Sequence, residues 1–533
     1  MGRLFWLGLV SAGVVMASVS SAEDWPHWRG PTYDGVAQSP GLVDGFEGAG
    51  PKKLWESERL SPKGSLGYGS VSVADGRAYV YVQAKYKVDI EERVIAKDLP
   101  AKLGYVSGMP QELLDAVEKT RLSEERAAVK NRQAVKKWVG DWLKANVKDE
   151  HRRYTKAAQA RLTAGRNAAS LEDLAKLDTI KGTTLPNQQA LEAWMKQNNI
   201  DEVSQKQIQR AIPKNKDASD DYVACLDAAT GKTVWTAELP STFMWFLSSC
   251  TPTVVDGKCY VLSSEAKVTC LDAEKGDVLW TSEFVGARGN MHNRSSSVLV
   301  VDGVAIVATR GRTSGLDAET GKTLWQSPKI KSEYNSAVPW KSAGKTYALM
   351  IAGGSVRAIE PETGKEIWSV PGGGGSTPTI AGEYMAVNGA EKLGLILYKM
   401  TGETPEKLWS VPFKDQFTSP VIHDGYVYVF GESYGKRGKG RGLCVEIATG
   451  KVAWDQMLGG DHRHSSPVLA DGKIIVVGGS ELYLVKATPE KYTELGKTTK
   501  MGLDRFGYAS PTFADGKVYL RTGEGVVCCD LRK

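Results

Sequence analysis

The chain has 533 residues, a formal net charge of +6 and 24% charged side chains, with acids and bases interspersed. That mixture argues against a polyanion-binding groove, and roughly five of the surplus positive charges fall in one segment, residues 85–221.

Residues 1–22 carry Arg3, an apolar run from Leu4 to about Met16, and small residues ending in Ser-Ser-Ala, the pattern of a cleaved secretory signal. The run is too short for a membrane span. No cysteine precedes Cys225, so a lipid anchor on an N-terminal cysteine is not expected. The mature protein is expected to be a soluble monomer, periplasmic or secreted. Residues 23–50 read as an extended arm. Within it, W-P-H-W-R-G-P places Trp25, Trp28 and Arg29 around Pro26 and His27, a set suited to stacking the arm onto one blade of the folded body. An aromatic platform for carbohydrate, extended by Trp245, is the functional alternative.

From residue 51 a repeat takes over, interrupted once. Its clearest copy is V-T-C-L-D-A-E-K-G-D-V-L-W, Val268 to Trp280: a strand, a turn at Lys275-Gly276, and a return strand ending on tryptophan. Related copies end at Trp235, Trp325, Trp368, Trp409 and Trp454, and a further step reaches Leu495. The steps all fall in the range of about 40–45 residues that one four-stranded propeller blade occupies. A second hairpin precedes each copy, as in S-P-V-I-H-D-G-Y-V-Y-V from Ser419 and S-P-T-F-A-D-G-K-V-Y-L from Ser510, with Asp-Gly as a two-residue turn.

After Leu495 the chain ends one outer strand short, and K-K-L-W at Trp55 supplies a strand of the missing kind. The fold expected is all-β: an eight-bladed β-propeller over residues 51–84 and 222–533, closed by pairing the N-terminal strand into the last blade, which removes exposed edges. Blade one is interrupted between its second and third strands by residues 85–221. This insertion is rich in Lys, Arg, Glu, Ala and Gln, with a helical stripe through Leu113, Val117, Val135, Val139 and Leu143. Further helical stretches are expected over about 152–177 and 188–198.

The seven cysteines are expected to be mostly free. Cys225, Cys270, Cys444 and Cys528 share one place in the repeat, about 10 Å apart on neighbouring sheets, too far for a bridge. Cys528 and Cys529 point to opposite faces of one strand.

In such a ring, the loops entering each innermost strand and those joining second to third strands gather at one mouth. By repeat position they carry Trp245, Arg288, Asn290, His292, Arg294, Arg310, Arg312, Glu333, Tyr334, Asn335, Asp461, His462, Arg463, His464 and Arg505. The insertion is expected at this mouth as a helical cap. A cationic funnel would favour an anionic ligand or an acidic protein surface. His462 and His464 lack a nearby third ligand in sequence, so loop hydrogen bonding is preferred over a metal site. K-R-G-K-G-R-G, Lys436 to Gly442, lacks phosphate-loop spacing and reads as a loop. No G-x-S-x-G, H-E-x-x-H or paired-carboxylate motif assigns a catalytic residue.

The repeated A-x-D-A-x-T-G-K-x-x-W sentence resembles the PQQ-like (pyrroloquinoline-quinone) propeller repeat. W-P-H-W-R-G-P resembles the opening of exported BamB-like propellers. One branch that the resemblance implies is quinone-dependent sugar or alcohol dehydrogenases; the other is non-catalytic scaffolds of outer-membrane assembly, which are typically lipoproteins. The dehydrogenases need a ring-stacking tryptophan, calcium held by Glu and Asn, and an acidic base, none matched here by a quotable motif. In the repeat itself, Trp55, Trp235, Trp280, Trp325, Trp368, Trp409 and Trp454 are fold residues packing between blades. The function expected is a binding or scaffolding module without cofactor; the alternative is a dehydrogenase using PQQ and calcium.

Overall fold

The computed structural model describes residues 23–61, 67–286, 295–328, 330, 334–415, 417–432, 439–503 and 507–533. They divide into two compact units, residues 87–218 and the rest.

The larger unit is a β-propeller whose described residues form eight antiparallel sheets, seven of four strands and one that gains a fifth, parallel strand from the arm. Most consist of four consecutive strands, as in Thr253–Val255, Lys258–Leu262, Val268–Asp272 and Val278–Thr281. Two depart from that rule. The first sheet pairs Ser72–Ala74 and Arg77–Asp89 with Asn215–Asp227 and Thr233–Leu239, so the chain leaves and re-enters between its second and third strands. In the eighth, Thr512–Ala514, Lys517–Arg521 and Val526–Asp530 are completed by Lys52–Glu56, with Trp55 opposite Cys528. Both ends of the chain therefore share one sheet. The Asp-Gly turns hold both residues at positive φ, for example Asp256 at 49° and Gly257 at 70°, which matches the twist of a two-residue hairpin.

The repeated D-A-x-T-G-K-x-x-W sentence has a mechanical reading. Asp227 Oδ1 accepts hydrogen bonds from the backbone of Ala229 and Thr230 and from the Thr230 hydroxyl, which fixes the turn, and Asp317 does the same for Glu319 and Thr320. These bonds hold both carboxyls below the usual carboxylate range. The turn glycine then receives the tryptophan of the preceding sheet: Trp55 on Gly231, Trp235 on Gly276, Trp280 on Gly321, Trp325 on Gly364 and Trp409 on Gly450. Several of these indoles also donate to a carbonyl of the neighbouring turn, Trp55 to Ala228 at 3.0 Å and Trp280 to Ala318 at 3.1 Å.

A second seam runs nearer the axis. Each of the first seven sheets is entered through a hydroxyl residue whose backbone N–H donates to the hydroxyl of the next sheet. The series is Ser70 to Thr251, Thr251 to Ser297, Ser297 to Ser336, Ser336 to Thr377, Thr377 to Ser419, Ser419 to Ser466 and Ser466 to Ser510. The eighth sheet returns to the first through Thr512 Oγ1 to the Val71 carbonyl, 2.6 Å, and Arg521 Nη1 to the Gly69 carbonyl, 3.0 Å.

The arm does not lie on one sheet, as its sequence suggested, but crosses several. Trp25 bridges Val73 of the first, and the Pro26 carbonyl accepts from Val254 of the second. Arg29 reaches Thr379 and Pro420 of the fifth and sixth, and Val36–Ala37 adds a parallel strand to the seventh. Pro26 and the positive-φ residues Arg29 and Gly30 let so short a segment change direction. Lys439–Gly442 of the basic stretch open a strand, and the residues before them lie outside those described.

Residues 87–218 form their own helical unit. Asn131, Ser170, Asn187 and Asp201 cap Arg132–Asn146, Leu171–Thr179, Gln188–Gln197 and Glu202–Ala211 by accepting N-terminal N–H bonds. Leu113, Val117, Val135, Val139 and Leu143 pack with Tyr154 and Leu162, while Leu174, Leu191, Met195 and Ile208 build a second core. The stretch read as one helix over 152–177 is broken at Gly165, whose φ of 60° ends the first helix. No helix among the described residues is long and apolar enough to cross a membrane.

All seven cysteines are free and buried. Burial pushes the Cys250, Cys444 and Cys528 thiols up to about 12. Thiol reagent is therefore expected to titrate all seven cysteines only in denaturant; reaction of native protein at the same rate would contradict this packing. Gly231 and Gly257 both have positive φ, but an added Cβ overlaps the Trp55 ring at Gly231 and meets nothing at Gly257. Gly257→Ala should cost about 1 kcal/mol of conformational strain and Gly231→Ala at least about 3, compared by urea denaturation.

Candidate functional site

Two residues before each ring hydroxyl, the chain passes the axial end of its sheet. Around the ring these positions hold Tyr68, Ser249, Ser295, Tyr334, Gly375, Phe417, His464 and Tyr508. Neighbouring sheets bring the rings together. Tyr68 stacks on Tyr508 at 3.9 Å, Tyr508 meets His464 at 4.3 Å, His464 stacks on Phe417 at 5.1 Å, and Phe417 meets Tyr334 edge-on at 5.7 Å. They line a cavity of about 300 Å³ together with Phe246, Leu247, hydroxyls of the ring, and Trp28 from the arm. Trp28 is held by its indole N–H on Thr377 Oγ1, 3.1 Å. One arc of the cup is thus aromatic and the other, at Ser249 and Ser297, is small and polar.

The described lining carries no formally charged side chain. Its histidine is neutral as well: burial, opposed by Asp461 and reinforced by Arg463, lowers His464 to about 4. Asp461 itself is occupied, accepting from Arg463 Nε at 2.9 Å. The cup can therefore stack a ring and offer hydroxyls, and its described lining presents no formal charge to a ligand.

Of the mouth residues selected from the sequence, Tyr334 and His464 line this cavity, joined by Trp28 from the arm. His462 points the other way. It is buried in the seventh sheet, its ring 5.1 Å from Tyr483 and its Nε2 2.8 Å from the Gly459 carbonyl, so the two histidines do not converge. Asn335 is buried and donates to the Ile351 carbonyl at 2.7 Å, leaving Tyr334 and Ser336 on either side to face the cup. Trp245 is 67% exposed, and the cup takes its successors Phe246 and Leu247 instead. Arg310 is exposed at the tip of the hairpin joining Val304–Ala308 to Thr313–Asp317, and Arg312 donates to Gln326 at 2.6 Å, away from the axis. Arg288, Asn290, His292, Arg294, Glu333 and Arg505 lie outside the described residues. Sequence reading missed Tyr68, Phe417 and Tyr508. The available signal was an aromatic two residues before the Ser or Thr that opens each repeat.

Pyrroloquinoline quinone is a planar tricarboxylate that works with calcium, and the described residues do not fit it. Trp28 and the Tyr68–Tyr508 pair offer stacking faces, but no arginine, lysine or carboxylate in the described lining meets its charges. No cluster of three or more His, Cys, Asp or Glu among the described residues is placed to hold a metal. Cys528 and Cys529 lie buried within a strand of the eighth sheet.

Burial sets a pH signature. His27, His462 and His464 are each lowered to about 4 by desolvation. Between about pH 6.5 and 4 the unfolded chain binds protons there that the folded chain refuses, so stability falls as pH drops through that window, by roughly 3 kcal/mol per histidine at the limit. Asp221, raised to about 6 by burial, works in the opposite sense. Three groups outweigh one, and guanidinium midpoints should fall steadily from pH 7 to 4; a flat profile would mean that these imidazoles are hydrated.

Comparison with known proteins bears on the same unit. The family described as outer membrane protein assembly factor BamB matches residues 218–356 and again 352–532. No match is found among curated proteins. Similar solved structures include BamB from Moraxella catarrhalis (17% identity, 58% of this chain and 90% of that one, TM-score 0.46). Quinohemoprotein alcohol dehydrogenase from Comamonas testosteroni is another (13%, 58% and 72%, TM-score 0.45), as is the computationally designed Ika8 protein (13%, 59% and 93%, TM-score 0.45). With two successive family matches spanning more than half of its length, on the repeats that build the sheets, the chain belongs to the BamB-like family of PQQ-repeat propellers.

Proposed function

We propose that the protein is an exported, periplasmic or secreted propeller of eight blades that works as a non-catalytic binding or scaffolding module. In this reading residues 1–22 are the signal, 23–50 the arm, 51–84 and 222–533 the propeller, and 85–221 a helical insertion in blade one. The eight sheets and the strand at Trp55 beside the last one support the blade count. The family places relatives among assembly factors, which supports a protein partner.

The observation that carries the reading is the cup, a cavity at the axis lined by stacked rings and hydroxyls, with no charged group in its described lining. Such a lining favours a neutral, ring-bearing group over the anion that the arginine-rich rim suggested. An aromatic side chain presented by a partner protein gains stacking on Tyr508 and Phe417, and its desolvation leaves no buried charge behind. The alternative, a quinone-dependent dehydrogenase, draws support from the stacking faces of Trp28 and the Tyr68–Tyr508 pair.

Saturation-transfer NMR with blocked tripeptides tests this. Peptides with central Phe, Tyr or Trp should receive signal from the full chain, those with central Ala or Asp should not, and Phe417→Ala with Tyr508→Ala should abolish the difference. Equal transfer to all peptides, or preference for Asp, would remove the proposed ligand class. Separately, protein given PQQ and calcium should not reduce a redox dye with sugars or alcohols; dye reduction would overturn the non-catalytic reading.

A further inference from the structure

Between the arm and the first, second, seventh and eighth sheets is a narrow, partly open space of about 10 Å³. That is room for one water-sized sphere. Its walls include His27, Arg29, Ser70, Ser466 and Ser510. This is the place where the hydroxyl series stops. The other ring hydroxyls accept an N–H from the preceding sheet, whereas Ser70 Oγ has no hydrogen-bond partner.

Arg29 sits in the same wall and is 3% exposed. Its Nη2 donates to Thr379 Oγ1 at 3.1 Å and to the carbonyls of Asp34 and Pro420. Its Nε and Nη1 have no partner, and neither has His27 Nδ1. Asp34 favours the charged guanidinium electrostatically, but its carboxylate accepts from Thr32 Oγ1 at 2.7 Å and from Val36 N at 2.9 Å, and burial still lowers Arg29 to about 10. His27, stacked on Tyr33, is neutral and brings no counter-charge.

A buried cation with three undirected N–H groups beside a free hydroxyl is expensive. Each unmet donor is costly when buried, and so is a charge that Asp34 balances only in part. A water molecule would accept some of those bonds but would leave the charge and would need acceptors for its own hydrogens. An anion accepts from every donor and balances the charge, and the volume admits only a single atom.

We propose that this space is a binding site for one monovalent anion of chloride's size, held by Arg29 and Ser70, and that the ion is a structural ligand fastening the arm into the ring. Sulfate, phosphate and carboxylates are too large for it. Because Trp28 precedes Arg29 in the chain, the ion also steadies the indole that lines the cup.

The test uses the full chain. Crystals grown with sodium bromide should give an anomalous peak beside Arg29. At constant ionic strength, replacing sodium gluconate by sodium chloride should raise the thermal midpoint by about 2 °C per tenfold increase in chloride once the site is filling. Arg29→Met, or Arg29→Lys if the methionine variant does not fold, should lose that dependence. A water in place of bromide would overturn the proposal. So would a bromide peak without a chloride-dependent midpoint, which would mark an adventitious ion only, or the same dependence in the variant.

Discussion

The propeller depends on how one sheet lies against the next, and the tryptophan on the glycine is the contact that sets it. A four-stranded sheet buried on both faces needs a neighbour on each side, and nothing in the repeat supplies a helix to cover it. Trp55 on Gly231 or Trp280 on Gly321 supplies area, an indole hydrogen bond and a spacing at once, since any residue larger than glycine would lift the ring away. The glycine is doubly required, because its positive φ makes the turn and its missing side chain makes the seat. The inner hydroxyls repeat the logic where the sheets converge, with one N–H and one Oγ per junction in place of an indole.

That redundancy explains what was legible in the sequence. Fold residues recur at every blade, so D-A-x-T-G-K-x-x-W, the Asp-Gly turns and the solitary strand at Trp55 announce the architecture many times over. The axial position varies from blade to blade, with tyrosine at 68, 334 and 508, glycine at 375 and serine at 249. Variation at a fixed place in a repeat is the mark of a site, yet it is easily passed over beside conspicuous charges. The arginines that drew attention first are spent locally: Arg463 on Asp461, Arg312 on Gln326. Trp245 and Asn335 show the same limit at finer scale, since loop and strand register decides which of two neighbours turns to the axis, and periodicity alone does not fix it. The path of the arm was illegible for another reason. Its bonds run to residues hundreds of positions away, as from Trp28 to Thr377.

The cup and the arm give an approximately symmetric ring a direction. Stacked rings from the sixth, seventh, eighth and first sheets face small hydroxyl residues from the second and third, while Trp28 enters from a segment that belongs to no repeat. In the proposed role, specificity would rest on which axial side chain each blade carries, while the seams leave those positions free to change without altering the fold.

Sharing the last sheet between both termini sets a timetable as well as a shape. The stretch around Trp55 is made before seven of the sheets exist, and its partner, Val526–Asp530, is made after all seven. Until then the growing polypeptide holds an unmated edge at each end, the state most prone to joining with another copy of itself. Whatever shepherds this chain during synthesis must keep those two edges apart from strangers until Val526–Asp530 has emerged, and completion of the circle is then a single intramolecular event.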